Sequence, residues 1–198
     1  PLPEEPLEKV ENQAYIHYNK GALVMYRLQD EIGEDKVNAA LRMILAKYAF
    51  KGPPYPTSAE LVADFRAVAP PDKQQLITDL FEKITMYDLR LVASRKTALP
   101  DGKWSLSLEI EAGKQYADGK GELTEAPLDG LVDIGVFTAE PGKRDFKASS
   151  VLSLQRQRLH SGHQTLTVIT DREPKFAGVD PYNKYIDSNS DDNVVAVQ

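Results

Sequence analysis

Two tyrosines three residues apart, Tyr15 and Tyr18, open the run Tyr15-Ile16-His17-Tyr18-Asn19-Lys20-Gly21-Ala22-Leu23-Val24-Met25-Tyr26-Arg27-Leu28. On a helix the pair shares a face. Each phenol brings a hydroxyl that needs a partner or a ligand once it is buried. Tyr15 can line a pocket beside Tyr18 or simply pack in a core. Gly21, with no Cβ, lets another backbone or a ligand approach closely. Lys20 reads as an ion-pair partner. His17 lies about 100° around the helix from Tyr18, has no second histidine within helical reach, and reads as structural. Position alone favours a packed tyrosine at Tyr18.

Other chemistry is thinly represented. The chain has no cysteine, which excludes disulfides, thiol nucleophiles and thiolate metal sites. Its three histidines are His17, His160 and His163. His160-Ser-Gly-His163 is expected to be a solvated hairpin turn. Asp187-Ser-Asn-Ser-Asp-Asp-Asn193 alternates oxygen ligands like a calcium loop but lacks glycine at loop position six and glutamate at position twelve. The expectation there is a mobile acidic terminus. No Ser-His-Asp order, glycine-rich phosphate loop or paired-carboxylate constellation is present. The net charge of −6, with no cluster of Lys and Arg, argues against a nucleic-acid surface.

The pattern Tyr18-x-Lys20-Gly21-Ala22, followed by an apolar helix and Ile32-Gly33-Glu34, resembles a segment of the aminopeptidase N family of zinc metallopeptidases. Tyr48-Ala-Phe, Tyr55-Pro-Thr-Ser and the leucine-rich stretches after them are similar to the helical region that closes that family's catalytic domain. The resemblance implies that Tyr18 points into an active site and donates to the oxyanion of a tetrahedral intermediate, a task for a neutral donor held in place. Tyr15 and Gly21 would then line the substrate pocket. Family zinc chemistry requires H-E-x-x-H on one helix and a glutamate on the next, and no histidine here is followed by glutamate. The G-x-M-E-N motif that holds a substrate's N-terminus is also absent. The chain is therefore expected to carry no metal or cofactor itself, zinc belonging to the complete parent.

The implied partners are an upstream catalytic domain of the same polypeptide and, in the parent, a peptide substrate. Alone, the piece is expected to be inactive. The stretch Ala177-Gly-Val-Asp-Pro-Tyr-Asn-Lys-Tyr-Ile-Asp187 resembles the C-terminal tail of a bacterial branch in which transporter-permease-like membrane spans join an aminopeptidase-like domain. That resemblance implies a soluble piece of a membrane-anchored protein on the extracytoplasmic side, touching the membrane only through its parent. The alternative is a non-catalytic interaction or scaffold module of a transporter-associated protein. A third reading is a stand-alone helix-plus-sandwich binding domain whose tyrosine motif is accidental.

The elements that must position these residues follow from patterning. With 198 residues, 41% apolar and 27% charged, the chain has the composition of a soluble globular protein and can bury a sizeable core. No run reaches the length of a transmembrane helix and no signal peptide is evident. Met25 is the first methionine and the chain opens on Pro1-Leu2-Pro3, as a piece of a longer polypeptide would. Pro1 to Glu11 is expected to be an extended, solvated lead-in. A first helix should start near Asn12 or Gln13, apolar nearly all round from Ala22 to Leu28, and stop at a left-handed Gly33 cap. A second spans Glu34 to Tyr48. The cluster Lys51-Gly-Pro-Pro-Tyr-Pro forbids helix.

Thr57-Ser-Ala-Glu60 is a capping box that starts a third helix. Pro70 and Pro71 break it, and a fourth carries Leu76, Ile77, Leu80, Phe81 and Ile84. After Tyr87 the period becomes two. Leu89 to Lys96 and Trp104 to Ile110 read as a hairpin turned by Leu99-Pro-Asp-Gly-Lys103, and alternation returns at Val132 to Val136, Leu152 to Leu154 and Leu166 to Val168. The expected fold is α+β. Residues 1–87 form a helical part of a catalytic domain; residues 88–198 form an antiparallel, immunoglobulin- or fibronectin-like β-sandwich with an irregular tail from Pro174.

Overall fold

A computed structural model of the chain describes residues 4–11 and 13–198, with helices first and strands afterwards. The fold is α+β. The chain divides into two compact units. One holds the residues up to Thr85 together with Tyr116–Thr124, and the other holds Met86–Gln115 with Glu125–Gln198. The expected lead-in residues Pro1 to Pro3 and a helix start at Asn12 lie outside the described residues.

The helical unit begins with a π-helical turn, Tyr15–Lys20, that runs without a break into α1, Gly21–Ile32. Gly33 ends α1 and starts α2, Glu34–Tyr48. Its φ of 89° and ψ of 151° are not the expected left-handed helical cap but an extended link in the region reserved for glycine. A Cβ there would meet nothing within 4 Å, so backbone angle and not space selects the glycine. Glu34 and Asp35 in the first turn of α2, and Lys47 in its last, complement the helix dipole.

The capping box at the start of α3, Ser58–Val68, is present in full. Thr57 N–H donates to Glu60 Oε2 at 2.9 Å, and Glu60 N–H donates to Thr57 Oγ1 at 3.4 Å. The fourth helix is shorter than its apolar spacing predicts. α4, Gln74–Ile77, becomes a π-helical turn at Thr78–Glu82, extended backbone at Lys83 stops it, and Ile84 opens a strand. An apolar residue three or four places after Leu80 and Phe81 suits a helix or the first inward position of a strand equally well. Val24, Leu28, Val62, Phe65, Ile77 and Phe81 are buried in this unit, with the Phe65 and Phe81 rings stacked at 5.5 Å. Tyr116 joins it through a hydroxyl that donates to Asp79 Oδ1 at 2.7 Å.

Among the described residues eight strands follow: β1 Ile84–Ala98, β2 Trp104–Ala117, β3 Leu123–Ala126, β4 Asp129–Phe137, β5 Val151–His160, β6 Gly162–Thr170, β7 Phe176–Val179 and β8 Val194–Ala196. In one sheet β2 pairs with β1, β3 and β6; the other runs β5-β4-β7-β8. Antiparallel registers such as Leu108↔Leu166 and Ile134↔Val179 bring like faces together. The inward rows of both sheets, among them Leu89, Leu106, Ile110, Val132, Val136 and Leu159, form one apolar cluster. This is the two-sheet sandwich that the alternation predicts.

Two further expectations need correction. Ser161-Gly162 is not the bend of a hairpin within one sheet. β5 pairs with β4 and β6 with β2, so this turn, with Gly162 at φ 96°, carries the chain from one sheet to the other. The tail is not irregular throughout: β7 pairs with β4 and β8 pairs with β7, and its side chains bond backbone in the tail and in β4. Asp180 accepts from the N–H groups of Lys184 and Tyr185 at 3.0 and 2.8 Å, and the Tyr185 hydroxyl donates to the Leu131 carbonyl at 3.1 Å. Among the described residues no helix is long and apolar enough to cross a membrane.

Candidate functional site

The π-helical turn decides where the tyrosines go. Gly21 N–H donates to the Ile16 carbonyl, five residues back, so each turn holds more residues than an α-helical one. Residues three apart then no longer stand above one another. Ile16 is buried and anchors the turn, while Tyr15 and Tyr18 diverge. The Tyr15 hydroxyl donates to Gln13 Oε1 at 3.3 Å, away from the cleft that Tyr18 lines. Tyr18 is 72% exposed, and its hydroxyl makes no hydrogen bond with any described residue.

Tyr18 stands at the edge of a cleft of about 420 Å³ between α1 and α3. Gly21, Ala22 and Met25 form one wall, Leu61 and Val62 the other, and Phe81 and Leu7 complete it. Tyr18 and Gly21 therefore share this site, and Tyr15 does not line it. His17, which reads as structural in the sequence, is exposed at the cleft, its ring tilted 49° against Tyr18 at 4.6 Å. A Cβ on Gly21 would sit 3.8 Å from Leu7 Cδ1, an ordinary contact, so no described neighbour demands glycine there.

The lead-in is also not simply extended and solvated. Lys20 Nζ pairs with Glu4 Oε1 at 2.8 Å, Glu8 N–H donates to the Phe81 carbonyl at 2.9 Å, and Ser58 Oγ donates to the Glu8 carbonyl. These bonds hold Leu7 against the cleft. A lone leucine between prolines and glutamates was the available signal.

Behind the cleft, Arg66 ties α3 to the segment after α4. Its guanidinium donates to Glu82 Oε1 at 2.6 and 3.2 Å, to Thr78 Oγ1 at 2.7 Å and to the Gln74 carbonyl at 3.1 Å. The hydrogen bond from Arg66 holds the Glu82 carboxyl below the usual range.

The residues present do not fit a catalytic zinc site. No three His, Cys, Asp or Glu side chains come together among the described residues in a metal-binding group. His160 and His163 are exposed and face Asp129 at 3.4 Å and Glu111 at 3.5 Å, one carboxylate each. The acidic run at the tail spends its oxygens on backbone. Asp187 accepts from Leu89 N–H and Asn189 N–H, both at 3.1 Å, and the Asn189 side chain accepts from Asp191 N–H at 3.3 Å. Burial pushes the Asp187 carboxyl above its usual value despite those bonds.

No protein-family model matches the chain, and a search of curated proteins finds no match.

Proposed function

We propose that this chain is the C-terminal portion of a zinc-dependent, aminopeptidase-like protein in which Tyr18 stabilises the transition state of peptide hydrolysis. One observation carries the reading: a free phenol, 72% exposed, at the edge of an apolar cleft. A tyrosine kept for packing is normally buried with its hydroxyl satisfied. A phenol left free beside a concave surface can donate to an oxygen that becomes negative as a tetrahedral centre forms. Zinc and its ligands belong to an upstream part of the same polypeptide, and the substrate is a peptide that loses its N-terminal residue. The tail from Ala177 to Asp187 supports a parent with transporter-permease-like membrane spans, this piece lying on the extracytoplasmic side. A second reading, a non-catalytic interaction module, draws support from the uncharged outward side of α1. An H-E-x-x-H motif upstream of Pro1 separates the two.

The test is Tyr18→Phe in the complete parent. An oxyanion donor acts chiefly where charge has developed, so kcat should fall by roughly 10²–10³ with substrate binding little changed. Normal turnover per folded molecule would return Tyr18 to a structural role.

A further inference from the structure

The edge of a sheet offers unpaired backbone to any passing strand, and proteins blunt it with charge, proline, bulges or short length. Most edges of this sandwich are protected in one of these ways. The tail covers β1 at both ends. Tyr87 N–H donates to the Ile186 carbonyl at 3.1 Å, Ser188 N–H to the Tyr87 carbonyl at 2.9 Å, and Lys96 N–H to the Gln198 carbonyl at 2.9 Å. β5 carries Arg156 and Arg158, and its register with β4 shifts between Val136 and Phe137. β3 and β8 are only four and three residues long.

β6 has none of these devices. Its nine residues include no Asp, Glu, Lys, Arg or proline. Its register with β2 runs unbroken from Trp104↔Thr170 to Ala112↔Gly162. Among the described strands β6 pairs with β2 alone, so alternate residues turn both backbone groups toward the open side. The backbone of residues 163–170 makes no further hydrogen bond with any described residue. Leu166 and Val168 pack on the core yet stay half-buried, and Ile169 is 49% exposed. One more strand would pair this edge and cover those side chains.

Register and charge decide which strand fits. An antiparallel neighbour must keep its apolar row on the core side with Leu166 and Val168. A second copy of β6, turned about a two-fold axis at Thr167, does so. It sets Leu166 opposite Val168, Thr165 opposite Ile169, and His163 opposite Asp171, whose side chain is 88% exposed. No like charges meet along this line, although each chain carries a net −6. A two-fold contact is also self-complementary and leaves no β6 edge for a third copy.

We propose that β6 is a dimerisation edge, through which two copies of this chain pair antiparallel about Thr167 and join their four-stranded sheets into one. The inference uses only the sandwich and stands apart from the peptidase reading.

The test is sedimentation of the 198-residue chain over a concentration series. The native chain should form dimers. Thr167 is exposed and lies opposite Ser107 of β2, so a charge there leaves the fold intact, which near-ultraviolet circular dichroism checks. On the axis that charge meets its own copy. Thr167→Lys and Thr167→Glu should each weaken pairing about tenfold at low salt, through a lost threonine pair and like-charge repulsion. Mixed in equal amounts, the two variants should pair again as opposite charges meet. Association through the outward side of α1 is a separate event, followed in the Thr167→Lys chain.

A native chain that stays monomeric at about 1 mM overturns the proposal. So does a dimer indifferent to both variants, or a mixture that pairs no better than either variant alone. Dimers that Tyr26→Lys disperses and Thr167→Lys does not overturn it in favour of α1. Polymers that Thr167→Lys breaks down overturn the two-fold in favour of a head-to-tail contact. None of these readouts involves zinc or turnover, so they leave the peptidase reading to Tyr18→Phe in the parent.

Discussion

In the sandwich, Leu106, Leu108 and Ile110 are fully buried while Ser107 between them is exposed. In α1, Arg27 is buried beside Val24 and Leu28, and Leu23 and Tyr26 are exposed. The first arrangement is that of a fold whose two sheets close their own core. The second leaves apolar and aromatic surface outward and places ion pairs inward, where charges gain little net stability. Such a helix lowers its free energy further once other protein covers it. The sandwich also exposes Val92, Leu131, Leu154 and Ile169, so the difference lies in the buried ion pairs of the helical unit and in the free phenol of Tyr18, on which the proposed function rests.

The largest expected effect lies on the sandwich side. Leu108, with no exposed surface, faces Leu166 across the β2–β6 register and belongs to the shared cluster of both sheets. Leu108→Ala should lower unfolding free energy by about 2–5 kcal/mol, the sum of lost transfer energy and the cavity left behind. Urea denaturation followed by near-ultraviolet circular dichroism, which reports the aromatic environment, measures it. A loss below about 1 kcal/mol would mean that the sheets do not share one packed core.

Arg66→Ala comes next. It removes a guanidinium that bonds Glu82, Thr78 and Gln74, and hydrogen bonds to charged groups are worth about 1.5–3 kcal/mol. Glu82 adds a pH signature. Its folded pKa is depressed by Arg66, so its contribution is present above the unfolded carboxyl value of about 4.3 and is lost as pH falls through the lower folded value. Melting temperatures of the native chain and Glu82→Gln should therefore differ near neutral pH and converge in acid. A gap that persists in acid would assign the effect to packing. Thr57→Ala should cost about 1 kcal/mol by removing the α3 cap.

Thr57 also shows what was legible beforehand. A capping box is written in four adjacent residues, and the turn at Leu99–Lys103 in five, where Gly102 adopts φ 83° and its N–H donates to the Leu99 carbonyl. Long alternating strands announce themselves in the same local way. β3, β7 and β8, at three or four residues each, are too short for alternation to register. The sheet to which β5 or β6 belongs is a non-local fact, as is the order that Asp180 and Tyr185 impose on the tail. At the candidate site, only the resemblance singled out Tyr18 and Gly21, since position alone made Tyr18 a packed tyrosine; what was readable from spacing was a helix through both. The π-helical turn that takes Tyr15 out of the cleft and leaves His17 in it was not, because spacing assumes a regular helix. The buried charge of α1 did leave a trace: Arg27 and Glu31, four residues apart, fall on the side of Val24 and Leu28.

The smallest expected effect probes the outward side of α1 most directly. Tyr26 is 49% exposed on the outward side of α1. If that side meets only solvent within this chain, Tyr26→Lys should change stability by no more than about 0.5 kcal/mol, since lysine is a good helix former and a surface substitution away from special contacts is nearly neutral. The same lysine at Leu106 would bury an unpaired ammonium and unfold the sandwich. Tyr26→Lys should instead leave the melting temperature alone and raise the concentration at which the chain begins to associate, because it puts charge into an uncharged patch. The paired readout is differential scanning calorimetry and concentration-dependent light scattering. A drop in stability of more than about 1 kcal/mol would show that Tyr26 is held by contacts within the chain. The outward side of α1 would then be an ordinary packed surface, and the contrast with the sandwich would vanish.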